Sequence, residues 1–231
     1  VKKVLFILLS VSASASLSFA TLLSNGDFES VDNTVGIANG RRLDQLNPGQ
    51  WDVFSALPGG WNRLDGRGIE VQANGVLGGV TAHSGNLYVE LDSHPNNTNG
   101  GSTNSTMGQS FNFNTGFYTL TFWYRPRTNE AADNGIQVRL GNTVLRNVDS
   151  TTGQSNSWVQ YSNNFFVAAA GAQNIIFQAT GNANQLGGFV DTVSLTFDRN
   201  QQTGDAIPEP STVALIGGAL VALAARRKFK A

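Results

Sequence analysis

The chain has no cysteine and only one methionine among its 231 residues. No disulfide can close its loops, so burial and hydrogen bonding must hold whatever folds here. Lysine is confined to positions 2, 3, 228 and 230. Between Asp27 and Glu209 the basic residues are nine arginines, set against all sixteen acids, a formal charge of −7. A stretch of that sign has no basic stripe with which to follow a phosphate backbone, and nucleic acid is excluded as a partner. Histidine occurs twice, at 83 and 94, without the helical spacing of a zinc pair, and neither a nucleophile elbow nor a phosphate-binding glycine loop is present. Long apolar runs are missing too. The run 213–225 would make roughly 20 Å of helix against a hydrocarbon core of about 30 Å.

Both ends nevertheless carry handling signals. Lys2-Lys3 precedes an apolar stretch at 4–9 and a zone of small residues, and Ser18-Phe19-Ala20 puts small side chains at the minus-three and minus-one positions. This predicts a signal peptide over 1–20, cut between Ala20 and Thr21. An uncleaved anchor is the alternative, against which Ser10, Ser12, Ser14 and Ser16 interrupt the apolar core. At the other end Pro208-Glu209-Pro210-Ser211-Thr212 leads into the run 213–225, and Arg226-Arg227-Lys228 follows. So short a transmembrane helix suits a transient hold in the inner membrane, its basic stop on the cytoplasmic side. Ala214, Gly218 and Ala222 leave one helix face bare enough to lie against another membrane helix. A plain hydrophobic anchor is the alternative.

Ile207-Pro208-Glu209-Pro210-Ser211-Thr212, Gly217-Gly218 and Arg226-Arg227-Lys228 resemble the PEP-CTERM sorting signal. The resemblance covers about a tenth of the chain, with Ile207 where valine is usual and Phe229-Lys230-Ala231 trailing the basic cluster. It implies an exported protein of a bacterium that makes exopolysaccharide. It also implies cleavage near Pro208-Glu209-Pro210 by an exosortase-type enzyme of the inner membrane, and a mature product on the cell surface or in the extracellular matrix.

Removing 1–20, a linker at 199–206 and the sorting tail at 207–231 leaves residues 21–198, enough for one sizeable core. Short alternating runs between clusters of Gly, Asn, Asp and Ser predict an all-β sandwich. Strands are expected at 68–72, 87–91, 110–114, 117–125, 136–140, 158–161, 175–179 and 189–197, with a hairpin turn at Gly141-Asn142. About eight strands over this length suggest a jelly roll. Residues 92–107 have no apolar anchor at their centre and read as a mobile surface loop that carries His94.

Asn25-Gly26-Asp27-Phe28-Glu29, the strand 117–125 and Val190-Asp191-Thr192-Val193-Ser194-Leu195 are similar to the galactose-binding-like jelly roll of many carbohydrate-binding modules. That resemblance implies a structural calcium where an acid of the first strand meets one of the last: Glu29 and Asp191, with Asp27 as neighbour. Calcium takes six to eight oxygens, so carbonyls and water would complete the shell. Asp191 alternates with Phe189, Val193 and Leu195, which predicts an inward carboxylate in need of a partner. The alternative is that Asp191 caps backbone amides without a metal.

On 117–125 the period of two sends Tyr118, Leu120, Phe122 and Tyr124 one way and Thr119, Thr121, Trp123 and Arg125 the other. The second set would form a glycan platform, a ring to stack on a sugar beside groups that meet hydroxyls, unless the sandwich covers that face. Trp51 and Trp61 are further rim candidates, and Trp158 reads as core. Glu90 and Asp92 share a face with Tyr88, and with Glu70 and His83 they form the cluster that would suit glycoside cleavage. The plainer account is an exposed acidic strand edge.

Three readings follow. The first is a non-enzymatic exported protein that binds or organises polysaccharide. The second is an acidic matrix component without glycan specificity. The third is a glycan-active hydrolase using Glu70, Glu90 or Asp92.

Overall fold

Two six-stranded antiparallel sheets make up the computed structural model, which describes residues 21–31, 37–38, 41–95, 101–148 and 157–199. With strands numbered in chain order, the first sheet runs β11 (Thr143–Val148), β10 (Ile136–Leu140), β13 (Gly171–Ala179), β8 (Thr106–Phe113), β5 (Trp61–Asp65), β4 (Ala56–Leu57). The second runs β12 (Val159–Val167), β9 (Gly116–Arg125), β14 (Phe189–Arg199), β7 (Leu87–Glu90), β6 (Ile69–Ala73), β3 (Trp51–Phe54). A short ribbon of β1 (Ile37–Ala38) and β2 (Arg41–Arg42) precedes them, followed by one 3-10 turn at Leu43–Gln45. From β3 to β14 the chain changes sheet at most steps, with β4–β5, β6–β7 and β10–β11 the sequence neighbours that pair, and the protein is the jelly roll that the sequence predicts.

Alternation along the strands explains the core. On β9, Tyr118, Leu120, Phe122 and Tyr124 are buried while Thr119, Thr121 and Trp123 are partly exposed. Rings from facing sheets meet edge-on, Phe122 with Phe177 at 5.2 Å and Phe113 with Tyr118 at 5.0 Å between centroids. Each such side chain, fully buried, contributes about 1.5–3 kcal/mol. At the hairpin between β10 and β11, Leu140 pairs with Thr143, and Gly141 supplies a positive φ of 53° for the two-residue turn.

The structure departs from the sequence expectations in several places. Strands β3 and β5 were unforeseen because Trp51 and Trp61 sit in glycine-rich stretches whose apolar residues do not alternate cleanly. Strand β8 starts at Thr106 rather than 110, and β12 and β13 are both longer than expected. Nor are residues 92–107 loose throughout. Ser93 N donates to Thr103 O at 2.8 Å and Ser105 N to Leu91 O at 2.7 Å, closing the base of the excursion, with Ser93 and Ser105 fully buried. No strand forms over residues 21–31; this segment is irregular, with Asn25 at φ 50° and Phe28 at φ 61°.

A bulge between Asp191 and Ser194, with Thr192 at φ 50°, interrupts β14. An extra residue there reverses the alternation. Val190, Val193 and Leu195 face the sandwich core, whereas Phe189 joins a second cluster with Val80 and Tyr88. Asp191, paired with Trp123 in register, therefore looks out of the core on the Phe189 side, contrary to its predicted grouping with Val193 and Leu195. The N-terminal segment docks on the bulge: Val193 N donates to Gly26 O at 2.8 Å and Leu22 N to Leu195 O at 2.7 Å. Glycine is required at 26, because a Cβ there would collide with the Val193 carbonyl.

Candidate functional site: the outer face of the second sheet

The outer face of the second sheet has a covered half and an open half. Residues 74–86 fold over the covered half, where Val80, Tyr88 and Phe189 are buried with Leu77, Ala82 and Trp158 packed against them. Trp158 Nε1 donates to Thr81 O at 2.8 Å, so this tryptophan clamps the covering segment and does not belong to the main core as expected. Arg125 lies under the same cover, 7% exposed, and burial pulls its guanidinium below its ordinary pKa. It cannot serve the glycan platform predicted for it.

Trp123 marks the border between the halves. The His83 ring stacks on it, centroids 3.8 Å apart and planes within 16°. Burial holds His83 below the ordinary imidazole pKa, so it is neutral at pH 7, and its Nδ1 lies 2.8 Å from Thr192 Oγ1. Beyond Trp123 the face opens. Thr119 and Thr121 are partly exposed there beside Ser162, Asn164, Ser194 and Thr196. Thr119 Oγ1 donates to Asp198 Oδ2 at 2.6 Å. Three of the four predicted platform residues thus share an accessible face.

The other predicted aromatics divide. Trp61 is fully buried, its Nε1 3.0 Å from Asn25 O and its ring packed on Phe28 and Phe177, which removes it from the rim. Trp51, on edge strand β3, is 37% exposed and lies 4.6 Å from the His94 ring. His94 is itself anchored, not loose, with its backbone N donating to Glu70 Oε2 at 2.7 Å.

Glu70 and Glu90 are fully buried, which overturns the expectation of an exposed acidic edge: β6 and β7 are interior strands. Gln72 Nε2 donates to both, at 2.8 Å to Glu70 Oε1 and 2.6 Å to Glu90 Oε2. Arg127 Nη1 reaches Glu90 Oε1 and Oε2 at 2.6 and 2.7 Å, and Gly187 N donates to Oε1 at 2.8 Å. Burial and the neighbouring Glu70 charge push the Glu90 carboxyl well above the usual range, against the pull of Arg127. Sequence reasoning missed Gln72 and Arg127. The available signal was the pair of acids on adjacent strands, which demands a cation nearby. Glu70 Oε2 also meets His94 Nδ1 at 2.9 Å, so all four carboxylate oxygens of this buried pair are engaged. Asp92, also fully buried, accepts from Asn184 N and Leu186 N at 3.0 Å on Oδ2.

The predicted calcium residues come together on another partner. Glu29 Oε1 accepts from Asn86 N and Leu87 N at 2.7 and 2.6 Å; Asp191 Oδ2 accepts from His83 N and Ser84 N at 2.8 and 3.0 Å. Asp191 Oδ1 accepts from Thr192 N at 2.6 Å, and Asp27 Oδ1 lies 3.4 Å from Glu29 N. A cation needs oxygens turned toward it, whereas Glu29 and Asp191 face amide donors of residues 83–87 and Asp27 Oδ1 faces Glu29 N. The donor set at Glu29 and Asp191 fits a pair of backbone caps and does not fit a metal. Burial pushes Asp191 up to about 7 despite its amide donors.

Residues 206–228 match the PEP-CTERM protein-sorting motif. That match includes Pro208, Glu209, Pro210, Ser211, Arg226, Arg227 and Lys228, which lie outside the described residues, as does the predicted signal peptide to Ala20; Thr21 is described and exposed. The motif marks the chain for export, with membrane passage before processing. Among the described residues no helix is long and apolar enough to cross a membrane. Comparison with curated proteins finds no match.

Similar solved structures include the K1 cleaved adhesin domain of Lys-gingipain from Porphyromonas gingivalis, at 15% identity and TM-score 0.46, covering 65% of this chain and 98% of that one. TmCBM61 in complex with β-1,4-galactotriose is 18% identical at TM-score 0.42, over 77% and 99%. The arabinose-bound MgGH51 α-L-arabinofuranosidase is 15% identical at TM-score 0.45, over 77% of this chain but 26% of that enzyme. This chain thus spans about a quarter of the arabinofuranosidase.

Proposed function

We propose that this chain is an exported, non-enzymatic protein that binds or organises exopolysaccharide. Its C-terminal tail holds it in the inner membrane until an exosortase-type enzyme cuts near Pro208-Glu209-Pro210, and the product works at the cell surface or in the extracellular matrix. The observation that carries the glycan reading is the open half of the outer sheet face. There Trp123 borders a field of hydroxyl and amide side chains, including Thr119 and Thr121, in a chain whose exported part has no lysine. A ring offers stacking to the apolar face of a sugar while hydroxyls meet its polar rim. The burial of Glu70, Glu90 and Asp92 supports a binding role over hydrolysis.

Two measurements test the reading. The mass of the mature C-terminus, with the processing enzyme present and absent, should differ by the tail; identical masses refute the sorting step. A glycan array on the processed protein should give hits that Trp123→Ala abolishes and Trp51→Ala leaves in place. Hits that survive Trp123→Ala refute the platform. An array without hits favours the acidic matrix component that lacks glycan specificity.

A further inference from the structure

Asp92 and Asn104 form an isolated antiparallel bridge between the end of β7 and the approach to β8. The flanking bonds, Ser93 N to Thr103 O and Ser105 N to Leu91 O, make it a non-hydrogen-bonded pair, the type that brings opposed side chains closest together. Both side chains are half satisfied. Asp92 Oδ2 takes the two backbone donors of Asn184 and Leu186, and Asn104 Nδ2 donates to Gly181 O at 2.6 Å. That last bond fixes the orientation of the amide, since turning it over would set Oδ1 against the Gly181 carbonyl. Asp92 Oδ1 and Asn104 Oδ1 are then both buried with no hydrogen-bond partner among the described residues. Unpartnered acceptors are costly in a protein interior, and the charged one more so.

Neighbouring polar side chains are committed elsewhere. Asn182 and Asn184 direct their amide nitrogens to Asp133 Oδ1, at 3.0 and 2.7 Å, and Thr128 Oγ1 lies 3.2 Å from Asp133 Oδ2, so Asp133 is already satisfied. Arg127 is committed to Glu90 and to Gln185 O.

We propose that Asp92 Oδ1 and Asn104 Oδ1 hold a hard divalent cation of the calcium class. The site is separate from Glu29 and Asp191, whose oxygens face amides. Two oxygens of carboxylate and amide type suit calcium or magnesium and suit softer metals poorly, and water would fill the remaining positions. A bound cation would tie the β7 end to the approach to β8. Through Asp92 Oδ2 it would also steady the segment 184–186, which lies next to the Glu90 network at Gly187.

The test is calorimetric titration of the full chain with calcium chloride and, separately, magnesium chloride, paired with thermal melts. The expected result is one site per chain and a melting temperature that rises by about 3–6 °C at ten times the dissociation constant. Asp92→Asn should remove both signals. Asn104→Ala, at a partly exposed position, should weaken binding at least tenfold and gives a second variant should Asp92→Asn fail to fold. Asp191→Asn and Glu29→Gln should keep the response. A wild-type melt that does not move up to 10 mM of either salt would mean that water alone bridges the oxygens, and overturns the proposal. So does a cation response that persists in the Asp92→Asn, Asn104→Ala double variant.

Discussion

Replacing Arg127 with methionine tests the logic of the buried carboxylates most directly. Glu90 has no exposed surface, and the Arg127 side chain, whose guanidinium bridges both its oxygens, is only 13% exposed. Methionine keeps the apolar stem but leaves Glu90 with Gln72 Nε2 and Gly187 N as its remaining donors, beside Glu70, and strips one donor from Gln185 O. Breaking a buried ion pair on one side costs about 3–5 kcal/mol. For a domain of this size that is a drop in melting temperature of roughly 6–20 °C. The loss should depend on pH with a definite sign. The folded-state pKa of Glu90 is already raised. Its stabilising contribution is therefore fully present below the unfolded pKa and falls as pH rises through the folded one. Without Arg127 the carboxyl moves further up, so the variant should approach wild type in mild acid and fall furthest behind at neutral pH and above. Adding Glu90→Gln removes the stranded charge and should recover most of the loss. Urea melts of wild type, both single variants and the double, at pH 5 and pH 8, complete the cycle. A cost below about 1 kcal/mol at pH 8 for Arg127→Met, or a double variant no more stable than Arg127→Met alone, refutes the argument.

Two further predictions come from β14 and the segment docked on it. Asp191, raised from 3.8 to about 7 by burial, should disfavour the folded state progressively between about pH 4 and 7 and not further above; at about 1.4 kcal/mol per pH unit the whole effect is on the order of 4 kcal/mol. Carbon-detected NMR titration of the Asp191 carboxyl should show a midpoint near 7, and a midpoint at the ordinary aspartate value refutes the account. Gly26→Ala should destabilise by about 1–3 kcal/mol in the same urea melts, because its Cβ needs the space of the Val193 carbonyl; an unchanged midpoint would show that the docked segment yields freely.

Much of the fold was legible in the sequence wherever one face of a strand meets the core and the other meets solvent. Strand β9 is the clearest case, with Tyr118, Leu120, Phe122 and Tyr124 alternating against Thr119, Thr121 and Trp123. Alternation fails as a guide when both faces are covered or the register slips. Residues 87–90 are buried on both sides, so nothing in their pattern tells that Glu90 is interior. The bulge at Thr192 moves Asp191 away from Val193, although the period of two puts them together. Trp51 and Trp61 look alike in their glycine-rich settings, yet one is 37% exposed and the other is core.

By itself the sequence determined the sorting tail, the predicted export signal, the acidic character of the domain and its all-β class. Those properties depend on local composition and short-range periodicity, which need no knowledge of what lies across the fold. Tertiary structure alone decided which polar groups meet. Glu90 finds Arg127 37 residues away, Asp191 caps amides 107 and 108 residues away, and Glu29 caps those at 86 and 87. Such contacts depend on which strands become neighbours in a sheet, and in a chain that changes sheet at most steps that order is set by packing of the whole core.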